Sequence, residues 1–309
     1  MLSIVVLNWN AWEQTLKCLG VLGHSRGEFH VVIVENGSRD GSREKLERGL
    51  ENLSGNQKAF HLVVSESNRG FAGGCNLGIK RSLELGASHI FLLNNDAWPD
   101  SPEFAKLMDV IESHPKALIG CLTLNAETGR EEFTGASWPG VLFGNAKFAT
   151  PEPRPEVWES GYLEGSALIL PKDFCETAIQ ERDGVFDESL FLYCEDVDLA
   201  LYAKSKGFRC LMTSAFPIRH MGSHSSSGNL RPLPFYYITR NRIQLANRWL
   251  GLPYRLAFHL YYLPSRFLLA VWRLLRNRSG SSFKILQAVS DGLVDGYRNV
   301  RGKWKRHLG

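Results

Sequence analysis

No Cys-x-x-Cys pair occurs in this chain, and its six cysteines, at 18, 75, 121, 175, 194 and 210, are scattered. That pattern argues against a zinc ribbon or a disulfide framework and suits a reducing compartment. No window reaches eighteen uninterrupted apolar residues, so no membrane span is expected. The amino terminus, MLSIVVLNWN, lacks a basic segment and meets a Trp and two Asn too early for a signal peptide. It reads as a buried first strand of a cytoplasmic protein. Glycine is missing directly after that strand, where Asn8, Trp9, Asn10, Ala11 and Trp12 stand instead. A dinucleotide site needs Gly-x-Gly-x-x-Gly there, so a dehydrogenase is excluded; with no Gly-Lys-Ser/Thr, so is a P-loop. Acid is nearly absent from the end of the chain. Residues 231–309 hold 15 Lys+Arg and only Asp291 and Asp295, whereas the first 230 residues hold 21 Lys+Arg against 30 Asp+Glu. A basic tail on an acidic body points to an anionic partner for the tail.

What is present is an alternation. Apolar, β-branched runs at 3–8, 30–35, 60–65, 89–94 and 117–124 read as strands. Amphipathic segments at 11–22, 41–53, 73–85 and 102–113 read as helices. Strands that are apolar on both faces, alternating with helices, imply an α/β domain with a mostly parallel sheet and helices on both sides. Residues 125–160 break the rhythm and read as loops with a short hairpin, before a strand at 162–170. From about 232 the pattern is helical, punctuated by prolines. The expected division is a catalytic domain over 1–230, with halves of about 1–124 and 125–230, and a helical basic extension over 231–309.

Ligands bind such sheets at the carboxyl ends of the strands. Four successive strands deliver polar or Gly-rich loops there: Asn8 to Asn10, Glu35 to Gly41, NRGFAGG at 68–74, and NNDAWPD at 94–100. Any one could be an ordinary turn, because Asn, Asp and Gly are turn residues. All four together favour a site. A further knot of charge, Glu195, Asp196 and Asp198, follows the apolar Phe191, Leu192 and Tyr193 and opens a predicted helix. An acidic first turn is common in helices, so the knot by itself is ambiguous.

The ordered set SIVVLNWN, VVIVENGSRDGS, NRGFAGGCNLGI, FLLNND, EGSALIL, FDESLFLYCEDVDLALYAKSKGF and HMGSHSSSG resembles family 2 glycosyltransferases, inverting nucleotide-sugar enzymes of GT-A fold. Within them it is similar to the rhamnosyltransferase-like group of cell-surface polysaccharide assembly. The resemblance implies Asp196 as the base that deprotonates an acceptor hydroxyl, with Glu195 as its acidic neighbour and Asp198 in support. It implies a donor site of Asn8, Glu35, Asn68, Gly70, Gly73, Asn76, Asn95 and Asp96. Glu35 stands where the family usually has Asp, against N3–H of uracil or thymine, so a UDP- or dTDP-sugar is expected, with rhamnose one candidate. Glycines at 70, 73 and 74 would let backbone approach the nucleotide. Asp96 is the last member of Asn94–Asn95–Asp96, where the family has Asp-x-Asp, and would hold Mg²⁺ or Mn²⁺ on the diphosphate. His220 is the second expected metal ligand, and His224 is read as a loop residue. Glu164 and Gly165 are expected at the acceptor, a glycan or a lipid-linked sugar. Trp138 and Trp158 could stack on sugar rings or pack as core.

The tail segment 253–278 is strongly apolar yet carries Arg255, Arg266, Arg273, Arg276 and Arg278. It reads as an interfacial helix that meets anionic membrane, or as a basic helix packed on the catalytic domain. YYITRNRIQL, at 236–245, is similar to the family's post-catalytic helix and would shape the acceptor site. Two other readings compete. One is a nucleotide-sugar-binding or nucleotidyl-transfer protein on a related fold, which usually shows a Gly-rich basic loop after the first strand. The other is an RNA-binding protein acting through its tail. That reading leaves Asp96, Asp196 and His220 unexplained, and no nucleic-acid partner is expected.

Overall fold

A computed structural model describes residues 1–53, 59–136, 151–221, 232–276 and 280–305. Trp138 and His224 lie outside these, as do the side chains of Arg273, Arg276 and Arg278. Four parallel strands form one flank of a ten-stranded sheet: β1 (Leu2–Asn8), β2 (Phe29–Asn36), β3 (Phe60–Ser65) and β4 (His89–Asn94). Their side chains alternate. Val5, Val32, Val34 and Leu92 enter one core, and Ile4, Val6, Val31, Ile33, Phe91 and Leu93 enter the other. Both faces are buried, which is why these runs read as continuously apolar.

The helices α1 (Trp12–His24), α2 (Ser42–Leu53), α3 (Gly70–Glu84) and α4 (Ala105–Ser113) complete this half, with β5 (Ala97–Pro99) and β6 (Ala117–Asn125). The short β7 (Glu131–Phe133) folds back on β6, and β8 (Val157–Glu159) pairs with a later strand. β9 (Ala167–Pro171), shorter than expected, runs antiparallel between β4 and β6. The sheet order is β3-β2-β1-β4-β9-β6-β10-β5; the β1–β4 flank and the β6–β10 pair are parallel, and the short β5, β7, β8 and β9 run antiparallel to their neighbours. Two elements went unread in the sequence. They are α5 (Lys172–Arg182), whose apolar positions are few, and β10 (Arg209–His220), whose pattern is broken by a bulge between Thr213 and Ile218. Trp158 is core, not a sugar platform: it is buried, and its indole N–H donates to Thr134 O at 2.9 Å.

The acids sit at the start of α6 (Glu195–Ser205), just after a 3-10 turn at Glu188–Leu190. The extension is three helices, α7 (Pro232–Trp249), α8 (Leu252–Arg276) and α9 (Gly280–Tyr297). Its small core stacks Tyr236 on Trp304 and, across the junction, Tyr237 on Phe191, with ring centroids 5.5 Å apart.

Candidate active site

The carboxyl ends of β1 and β2 lie in register, Asn8 opposite Glu35. Their loops are tied by side chains. Asn8 is buried; its amide donates to Ser38 Oγ at 3.3 Å, and its Oδ1 accepts from Thr15 Oγ1 at 2.7 Å. Asn95 donates to the same threonine at 2.9 Å, so the loops after β1 and β4 share one buried hydroxyl. Glu35 is also buried, and its Oε1 accepts the Ser38 N–H at 2.8 Å. Its carboxylate shapes the turn from within rather than reaching out of it. Asn68 Oδ1 accepts the Gly70 N–H at 2.7 Å at the start of α3.

Gly70, Gly73 and Asn76 have a different setting from the one expected. A Cβ on Gly70, at φ +74°, would lie 2.2 Å from Phe191 O, and Phe71 N–H donates to that same oxygen at 2.8 Å. A Cβ on Gly73 would lie 2.7 Å from the Arg69 Cβ, and one on Gly74 would lie 2.4 Å from the Leu7 Cδ1. Asn76 spends its amide on Phe186 O (2.9 Å), Glu188 Oε1 (3.1 Å) and Phe186 N (2.9 Å). The glycines allow close packing of α3, and Asn76 joins that helix to the segment leading into the acids.

Sheet register builds the second cluster. β5 pairs antiparallel with β10, placing His220 opposite Ala97, and β6 places Asn125 on its other side. His220 Nε2 is therefore 3.3 Å from Asp96 Oδ1, and its Nδ1 is 3.2 Å from Glu132 Oε2. Burial alone would lower the imidazole pKa. Asp96 and Glu132 together outweigh it and hold His220 above the usual histidine range. Glu132 was missed in the sequence; only the β6–β7 hairpin register reveals it. Asn125 fixes its other oxygen at 2.8 Å. Glu164 faces the same cluster; burial raises its carboxyl pKa, while the His220 charge opposes the rise. Gly165 packs beneath Phe71, whose ring would meet a Cβ at 2.9 Å.

Among the described residues no three His, Cys, Asp or Glu side chains are grouped to hold an ion. The Asp96–His220 pair still fits as two adjacent ligands. Neighbouring donors of a six-coordinate ion with bonds near ~2.1 Å stand about 3 Å apart. A carboxylate on the far ring nitrogen, as Glu132 provides, orients a ligating histidine. The remaining positions would have to come from outside the described residues.

The acid knot follows a loop of unusual backbone. Phe191, Tyr193 and Cys194 all have positive φ, 65°, 65° and 67°. Asp196, half-buried, accepts the Val197 N–H at 2.8 Å. Burial raises its pKa, Glu164 raises it further, and Val197 N–H and Arg242 pull it back. Glu195 is buried with one carboxyl oxygen unpartnered, and burial and then Asp196 push its pKa up. Asp198 is a structural hub. Fully buried, it accepts from Arg182 Nη2 (2.5 Å), Arg248 Nη1 (3.0 Å) and the Trp249 indole (2.8 Å). Of the three acids, Asp196 alone combines partial exposure with a view of Glu164.

Comparison with known proteins places this geometry. The family model "Glycosyl transferase family 2" matches residues 3–173. A curated relative from Haloferax volcanii, the low-salt glycan biosynthesis hexosyltransferase Agl10, is 23% identical over 99% of this chain and 94% of its own length. Similar solved structures include the Pyrobaculum calidifontis mannosyltransferase PcManGT in complex with GDP-Man and Mn²⁺. It has a TM-score of 0.59 and 14% identity over 96% of this chain and 87% of that one. S. aureus TarS 1–349 in complex with UDP-GlcNAc has a TM-score of 0.56 and 16% identity, covering 96% of this chain and 81% of that one. GalNAc-T7 with UDP, GalNAc and Mn²⁺ has a TM-score of 0.59 and 14% identity; 71% of this chain spans 43% of its length. These likenesses share the fold, a mostly parallel sheet with flanking helices of GT-A type.

Proposed function

This chain belongs to glycosyl transferase family 2, and on that premise we propose that it transfers a sugar, with inversion, from a UDP- or dTDP-sugar to a hydroxyl of a glycan or lipid-linked acceptor. Rhamnose is one candidate sugar, and cell-surface polysaccharide assembly is the setting. The observation that carries the reading is the placement of Asp196. Its half-buried carboxyl, shifted upward beside Glu164, shares one edge of the sheet with the Asp96–His220 pair.

In the reaction Asp196 takes the proton of the acceptor hydroxyl as its oxygen forms a bond to the anomeric carbon. The bond from that carbon to the diphosphate breaks on the opposite face, and nucleoside diphosphate leaves. A carboxyl whose pKa is raised toward neutrality is better matched to this task than an ordinary one. Glu164 lines the acceptor side. Asp96 and His220 would hold Mg²⁺ or Mn²⁺, which when bound neutralises charge on the departing diphosphate. The nucleobase of the donor would rest against the turn that Glu35 and Ser38 hold. The names of the similar proteins support a nucleotide-sugar donor and a divalent metal, because UDP, UDP-GlcNAc or GDP-Man, and Mn²⁺, appear among them.

The extension supports a place at the inner face of the cytoplasmic membrane. On α8, Phe258 and Tyr262 are buried, while Leu256, Leu260, Leu263, Phe267, Leu268 and Trp272 are exposed, Leu260 at 79%. At 100° per residue this outward face spans an arc of about 180°. Its neighbours Arg255 and Arg266 flank the packed side, and the helix contains no acid. Apolar and aromatic surface edged by arginine suits an anionic bilayer. No helix among the described residues is long and apolar enough to cross one.

Calorimetry of UDP, dTDP and GDP, each with and without Mn²⁺, tests the core of the proposal. Mn²⁺-dependent binding of UDP or dTDP supports it, and binding of GDP alone or of none of them overturns it.

A further inference from the structure

We propose that Arg240 and Asn241 of α7 are positioning residues that hold the backbone of 189–193 in a left-handed path and so aim the Asp196 carboxylate. The proposal rests on the functional reading above for what Asp196 does.

The path itself demands a holder. Three of the four residues from Phe191 to Cys194 have positive φ and none is glycine. Side chains of L-residues crowd the backbone there, so such a loop persists only where its surroundings over-determine it. The surroundings here come from the extension. Asn241 Nδ2 shares its two hydrogens among three carbonyls, Leu190 at 3.0 Å, Leu192 at 3.0 Å and Tyr193 at 2.7 Å. Arg240 Nη2 donates to Leu190 O at 2.8 Å and Ser189 O at 3.3 Å. Its Nε donates to Asn241 Oδ1 at 2.8 Å, which turns the amide so that its NH₂ faces the loop. Phe71 N–H takes the one remaining carbonyl, Phe191 O. All five carbonyls from Ser189 to Tyr193 are therefore captured from outside the loop. Both α7 side chains are fully buried, so water cannot substitute for them.

This is more than a generic buried polar contact between the extension and the catalytic domain. Gln244 is another buried polar residue of α7, and it donates to Val300 O at 2.7 Å, within the extension and away from the loop. Arg240 Nη1 also donates to Gly302 O within the extension, but the other bonds of Arg240 and Asn241 to backbone converge on Ser189, Leu190, Leu192 and Tyr193, which lead into Cys194 and the acids.

The test compares Asn241→Ala and Asn241→Ser with Gln244→Ala in the full chain, reading three quantities. These are UDP–Mn²⁺ affinity, the rate of nucleoside diphosphate release from a UDP- or dTDP-sugar, and hydrogen exchange at amides 191–198. Asn241→Ser keeps one donor and covers the case in which the alanine variant does not fold. The expected result for Asn241→Ala is a kcat lower by about a hundredfold, the scale of a small misplacement of a catalytic group. UDP affinity stays within about twofold, a pattern that locates the loss in the transition state. Exchange at 191–198 rises. Gln244→Ala leaves that exchange unchanged, and Asn241→Ser falls between. Wild-type kcat in folded Asn241 variants, or an equal rise in exchange at 191–198 in Gln244→Ala, overturns the proposal. If wild-type protein releases no nucleoside diphosphate, the glycosyl-transfer reading fails. Exchange at 191–198 then still decides the clamp, since only the Asn241 variants should raise it.

Discussion

The donor edge and the acid loop share one end of the sheet but are held by opposite means. The donor edge is largely self-sufficient. Glu35 bonds Ser38, Asn68 bonds Gly70 and Asp40 bonds Ser42, all within three residues, and Asn8 reaches Thr15 seven away. The acid loop borrows its shape from far along the chain: Asn241 lies about fifty residues on from Leu190 to Tyr193, and Arg248 lies fifty from Asp198. A ligand cradle can be made of local turns tied to one another across the strand ends, as Asn8 is to Ser38 and Asn95 to Thr15. A base aimed from a strained loop needs a second unit to hold it. On the proposed reading the helical extension is part of the catalytic apparatus, while these bonds of the donor edge do not involve it.

The comparison breaks most visibly at Asp196. Asp196→Asn is expected to lower turnover by roughly 10²–10⁴-fold, the usual share of a positioned base, while UDP–Mn²⁺ affinity measured by calorimetry is unchanged. In the wild type the base must be ionised, so the acid limb of the kcat/KM profile should lie above the ordinary carboxylate range. Burial and Glu164 push Asp196 upward, against the pull of Val197 N–H and Arg242, with Glu195 and Tyr162 its other titratable neighbours. Asp198→Ala comes next. It strands Arg182 and Arg248, and chemical denaturation should show a loss of about 3 kcal/mol, the low end for breaking a buried pair because Arg248 is partly exposed. Asp96→Ala sharpens the contrast from the donor side. It should weaken UDP binding in Mn²⁺ by at least about tenfold and leave the metal-free affinity alone. The smallest effect is at α8. Flotation with vesicles rich in anionic lipid should recover more protein than flotation with neutral ones, by about 1 kcal/mol per basic residue engaged, and salt should erase the difference. Equal, salt-insensitive recovery would remove the electrostatic part of that proposal.

The same contrast explains what could be read from the sequence. The β1–β4 flank was legible because both faces are buried and each strand is followed at once by its polar loop. Asp96 and His220 could be named because the family resemblance carried both. Glu132 could not, because its place beside His220 depends on how β7 folds back on β6. Gly70 and Asn76 looked like donor contacts because they follow β3, yet both face the Phe186–Phe191 segment over a hundred residues later. Asp198 resembled an acidic helix start until Arg182, Arg248 and Trp249 were seen around it. The outward apolar face of α8 was hidden as well. The pattern predicted an amphipathic helix, but only the packing of Phe258 and Tyr262 decides which side is left uncovered.

The stereochemistry of transfer tests the central claim most directly. A single displacement with Asp196 as base must place the new bond on the face opposite the departing diphosphate. Proton NMR of the first sugar released or transferred from an accepted UDP- or dTDP-sugar should therefore show the anomer opposite to that of the donor. Retention of the donor's configuration would contradict the account, because it requires two displacements and a nucleophile in place of the base assigned to Asp196.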